Sequence, residues 1–186
     1  MKSILKYIML TAIRDRLYIG LFLTLITSFS LSVFLGNTAL VEKAEMATSY
    51  IAGSTRMILA IGMILFVCLS VNRAFENKEV EFIISKSISR QKFILAYILG
   101  FFLVSLIIFL PLIGTILIFT SNNKLGLGIW SLSIFFELLI LIAFCLLASL
   151  ILKNSLSSIM AGLGFYILSR MMGLFVLTIN LPQNLS

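Results

Sequence analysis

Three ionisable side chains stand inside otherwise apolar runs of this chain: Arg56, Glu137 and Arg170. A charge at the centre of a bilayer costs roughly 2.5–3.5 kcal/mol on insertion scales, so each must pair, reach an interface or face water. Arg56 lies about two helical turns inside the end of its run, and its long side chain is expected to snorkel to the interface. Glu137 lies 16 residues before Lys153, and Arg170 lies 16 residues after Asn154. At 1.5 Å per residue both fall ~24 Å from the turn between those two residues. An intramembrane Glu137–Arg170 charge pair locking two helices together is therefore expected, with a substrate-facing role for one or both as the alternative. No other constellation promises chemistry. Histidine is absent, which removes the commonest metal ligand and general base. Cys68 and Cys145 lie in separate apolar runs without CxxC spacing, so they read as core- or lipid-facing thiols and not as a metal or redox pair. No HExxH, GxSxG or GxxxxGK[ST] motif occurs. The expectation is no catalytic residue, no metal site, no cofactor and no enzyme activity within the chain.

The elements that must position these charges follow from composition. Of 186 residues, 61% are hydrophobic and 11% charged, against about half and a quarter in ordinary soluble domains. A soluble domain of this size needs a polar exterior that these residues cannot supply. One membrane helix takes ~20 apolar residues, which leaves room for about five or six spans. Five long apolar runs occupy 17–35, 50–71, 93–120, 127–151 and 156–179, and none alternates as a barrel strand would. The fold class is thus all-α: a polytopic membrane helical bundle forming a single transmembrane domain over 1–186. Pro111, with Gly114 one turn on, marks a plausible kink in the third run. Ahead of the first span, Ile4, Leu5, Ile8, Met9, Ala12 and Ile13 recur at helical spacing among charged residues. That pattern predicts an interfacial helix over 1–16.

The formal charge of +7 is carried by basic residues lying between the apolar runs, so it reads as topology and not as a nucleic-acid stripe. Lys2, Lys6, Arg14 and Arg16 precede span one, and Arg73, Lys78, Lys86, Arg90 and Lys92 follow span two. The other side holds only Lys43, beside Glu42 and Glu45, and Lys124. By the positive-inside rule the N-terminus and the 72–92 loop lie in the cytoplasm. Within that loop Val80, Ile83, Ile84 and Ser87 share one helical face, while Lys78, Glu81 and Ser85 share another. Topology alone requires no acidic residues, so Glu76, Glu79 and Glu81 among the lysines and arginines point to a surface patterned for a partner.

Glu79 and Glu81 lead into Ser85-Lys86-Ser87-Ile88-Ser89-Arg90, and Gly100 follows within span three. This arrangement resembles the permease subunits of ABC-2-type transporters, in which a glutamate-containing cytoplasmic segment runs into a motif like S-K-P-I-S-R. Ser87 stands where that family commonly has proline. The interfacial N-terminal helix and the order of spans fit the same family, so the resemblance covers nearly the whole chain. The family pattern has six spans. Either five suffice here, or a last helix lies outside this sequence, or the fifth run is a pair of half-helices freed by Gly162, Gly164 and Gly173.

The resemblance implies a permease of the inner (cytoplasmic) membrane that works as a dimer and exports substrate. ATP hydrolysis would belong to a separate ATP-binding subunit, which fits the missing phosphate loop. The coupling segment carrying Glu76, Lys78, Glu79, Glu81, Lys86, Ser89 and Arg90 would seat in a cleft of that subunit. Partners are then the ATP-binding subunit, a second permease copy and the lipid bilayer, with no nucleic acid. The rival from another class is a non-transporting membrane scaffold or assembly factor whose cytoplasmic loop docks a partner.

Overall fold

A computed structural model describes residues 8–11, 15–38, 43–77, 90–119, 124–152 and 154–180. Five long helices follow one another: α1 (Arg16–Thr38), α2 (Lys43–Glu76), α3 (Arg90–Phe119), α4 (Lys124–Leu152) and α5 (Ser155–Asn180). A further helical turn covers 8–11. The chain is an all-α helical bundle. Among the described residues four stretches, Ile19–Thr38, Met46–Glu76, Ile94–Pro111 and Leu125–Leu152, are long and apolar enough to cross a bilayer. The protein is a multi-pass membrane protein.

Its surface carries the same message. Leu23, Phe34, Leu110, Ile129, Ile140, Leu168 and Met172 are exposed within the helices. Large apolar side chains exposed on this scale mark contact with lipid, because water would penalise every one of them.

The bundle is organised around α2, which packs against each of the other four long helices. Small residues let the backbones come close. At Gly62 of α2 a methyl group would overlap Leu21 of α1. A Cβ on Gly162 of α5 would lie 2.8 Å from Ile64 Cγ2 of α2 and 3.0 Å from Cys145 Sγ of α4. Glycines used this way take the place of a hydrophobic driving force that lipid cannot supply between helices. Serines add interhelical bonds: the Ser28 hydroxyl donates to Ser54 Oγ at 2.8 Å, and the Ser32 hydroxyl donates to the Ala47 carbonyl at 2.7 Å. Edge-on aromatic pairs, Phe66–Phe101 at 5.7 Å and Phe102–Phe135 at 4.8 Å, join α3 to α2 and to α4. Phe144 and Phe165 stack at 4.2 Å between α4 and α5.

Three expectations are refined. The chain from residue 72, expected to be loop, continues as helix through Glu76, with Asn77 in a turn. Nothing in V-N-R-A-F-E breaks a helix, and Arg73 in the last turn suits the negative end of its dipole. The third helix runs on through Pro111, as membrane helices allow when neighbours satisfy the freed backbone groups. The fifth run is one continuous helix and not two halves. It opens on Asn154, whose side-chain oxygen accepts from the Leu156 N–H at 3.1 Å, the usual way to satisfy a first-turn donor.

Of the expected interfacial helix, 8–11 is described as helical while 1–7 and 12–14 lie outside the described residues. Ile8 turns inward. It is buried, and its Cδ1 would lie 2.6 Å from a Cβ at Gly100.

The close approaches make a specific demand on residue size. Gly162→Leu should cost about 1–3 kcal/mol, because it overpacks a filled core between α2 and α4. An open site nearby gives the control, since a Cβ on Gly164 would have nothing within 4 Å. Melting midpoints in mild detergent should fall for Gly162→Leu and stay unchanged for Gly164→Leu; equal effects would contradict the packing described.

Candidate functional site

Polar function concentrates at two levels of the bundle. The first lies within the span region, on α2, α4 and α5. Ser133 and Glu137 stand one turn apart on α4, so they share a face. Arg56 of α2 reaches both: its Nε donates to Glu137 Oε2 in an ion pair, and its Nη2 donates to Ser133 Oγ at 3.2 Å. The pair is mostly shielded, with side-chain exposures of 23% for Arg56 and 16% for Glu137.

This corrects two expectations. Arg56 does not need to snorkel, and Glu137 takes Arg56 as its partner in place of Arg170. The equal depth of Glu137 and Arg170 along the α4–α5 hairpin was a sound inference from helix rise, but depth leaves azimuth free. Arg56 belongs to a distant part of the chain, and only the packing of α2 against α4 brings it to Glu137.

Arg170 nonetheless lines the same space. A cavity of about 510 Å³ lies among α2, α4 and α5 and is lined by Arg56, Ser133, Glu137, Phe165, Ser169 and Arg170. Arg170 is exposed, and no ion pair holds it among the described residues. The site therefore carries one neutralised pair and one uncompensated guanidinium. Phe136 and Ile140 of α4 also contribute to its wall and are exposed in mid-helix. The cavity accordingly opens on the lateral, apolar face of the bundle.

The second level is the end of the bundle where α1 starts, α2 finishes and α3 starts. Asp15 caps α1, its Oδ1 accepting from the Leu17 N–H at 3.1 Å. Its other oxygen, Oδ2, accepts from Arg73 Nη1 of α2 at 3.0 Å. A single carboxylate thus fixes the start of one helix and the end of another. Glu76 is exposed at the last turn of α2, and Arg90 opens α3. Lys78, Glu79, Glu81, Lys86 and Ser89, the remaining expected partner-binding residues, lie outside the described residues.

Sequence reasoning treated Arg73 only as a topology signal and missed Asp15–Arg73 altogether. Its one available sign was an aspartate directly before a helix start, which is a preferred capping position. Cys68 and Cys145 are expected to be core- or lipid-facing thiols. Both are free and lie buried in the core, Cys68 on α2 and Cys145 on α4. No group of three or more metal-ligating side chains occurs among the described residues. No family model, curated protein or solved structure matches this chain.

The ion-pair geometry separates the roles of the two carboxylate partners considered. Glu137→Gln leaves Arg56 unpaired in an apolar setting and should cost about 2–3 kcal/mol. The exchange Arg56→Glu with Glu137→Arg should recover most of that loss, while Arg170→Gln alone should not lower the melting midpoint in detergent. An Arg170→Gln variant as unstable as Glu137→Gln, with no recovery in the exchange, would overturn the assignment.

Proposed function

We propose that this protein is the transmembrane permease subunit of an ABC-2-type transporter. It sits in the cytoplasmic membrane with its N-terminus inside, pairs with a second permease copy, and exports substrate on ATP hydrolysed by a separate subunit. The observation that carries the reading is the segment between α2 and α3, with Glu79 and Glu81 followed by Ser85-Lys86-Ser87-Ile88-Ser89-Arg90.

Several features support it. The segment is flanked by two long continuous helices, so a force applied there would act on rigid levers. Asp15–Arg73 ties the end of α2 to the start of α1, which keeps that lever anchored beside the segment. The same α2 carries Arg56 to the intramembrane cavity. One helix therefore links the partner-facing end to a polar site within the membrane. The chain lacks a phosphate-binding loop, so the nucleotide chemistry falls to the partner.

Purification in mild detergent tests this directly. An ATP-binding protein should accompany the wild-type chain, and the triple variant Glu79→Gln, Glu81→Gln, Arg90→Gln should reduce its recovery by about tenfold or more, the loss of at least ~1.4 kcal/mol of interface energy. Absence of any ATPase from the wild-type preparation, with full function retained by the variant, would sink the transporter reading and favour a scaffold.

A further inference from the structure

We propose that the cavity among α2, α4 and α5 binds an amphiphilic anion, a molecule with a phosphate or carboxylate head and at least one acyl chain, held by Arg170. The argument stands on the cavity itself and does not depend on the transporter reading.

The first point is charge. Arg56 and Glu137 cancel, which leaves Arg170 as the net charge of the site. An uncompensated guanidinium among apolar side chains is costly, and its fixed fork of donors matches the oxygens of a carboxylate or phosphate. Among the described residues no carboxylate is left to satisfy it. Of the seven acidic residues only Glu137 lies inside an apolar run, and it is engaged by Arg56. A second copy of the chain brings the same set and so supplies no spare carboxylate at that depth.

The second point is shape and access. About 510 Å³ is in the range of cavities that take a small organic ligand. Phe136, Ile140 and Phe165 provide apolar wall, while Ser133 and Ser169 provide hydroxyls near the charge. The exposed mid-helix position of Phe136, Ile140 and Arg170 places the opening toward lipid. A ligand entering by that route must be soluble in a bilayer, which a bare anion is not. Charge selects the head and access selects the tail.

Native mass spectrometry of the purified chain in neutral detergent reads the site. Dioleoylphosphatidylglycerol should bind about fivefold better than dioleoylphosphatidylcholine, the scale of one partly shielded ionic contact. Arg170→Gln should bring that ratio close to one, Arg170→Lys should retain part of it, and Arg16→Gln, a charge loss remote from the cavity, should leave it intact. Dodecyl phosphate should displace the phosphatidylglycerol, while inorganic phosphate at the same concentration should not. A preference that survives Arg170→Gln, or that falls equally with Arg16→Gln, would overturn the site. Displacement by inorganic phosphate as effective as by dodecyl phosphate would overturn the ligand class, since the cavity would then read a bare anion.

Discussion

A charge held in an apolar phase must be compensated, and the meeting of Arg56 with Glu137 does this for two of the three charges that stand in apolar runs. The ion pair fixes the azimuth of α2 against α4, because only one rotation of each helix brings guanidinium and carboxylate together while Ser133 accepts the second donor. With that contact set, α2 occupies the middle of the bundle and the remaining helices pack around it. The glycine approaches at Gly62 and Gly162 then follow, since a helix touched on all sides has little room for side chains at its crossings. Satisfying two charges leaves the third exposed, which is why Arg170 lines a cavity instead of closing a hairpin.

The opposite end of α2 is held by another ion pair of different character. Arg73 is 53% exposed on its side chain, so its bond to Asp15 is screened and contributes little stability by itself. Its value is positional. Asp15 already orders the first turn of α1, and the added contact aligns the last turn of α2 with it. In the proposed mechanism a partner pressing on the adjoining segment meets two helices joined at their ends, and α2 carries the displacement toward Arg56. Rigid elements with discrete packings transmit such shifts better than flexible ones do.

Much of the architecture is legible in the order of residues, because membrane helices announce themselves by uninterrupted apolar length. The five runs correspond to the five long helices, with ends extended by residues such as Asn72, Arg73 and Glu76 that are polar enough to read as loop yet continue the helix. The site was legible only in its cast. Arg56, Glu137 and Arg170 stand out wherever one counts charges in apolar runs, but their pairing depends on which helices are neighbours and how each is rotated. Periodicity along one helix holds no information about that. Asp15–Arg73 was hidden differently: Arg73 has a ready explanation as a topology charge, and that role requires no partner at Asp15.

The central claim is that events at the segment between α2 and α3 reach the intramembrane cavity through α2. Ser169 lines that cavity and is exposed, so a cysteine at that position reports on access to it. In vesicles containing the protein together with the proposed ATP-binding subunit, labelling of Ser169→Cys by a water-soluble maleimide should change several-fold between the nucleotide-free state and the state trapped with ATP and vanadate. An identical labelling rate in both states, in a preparation that hydrolyses ATP, would contradict the account.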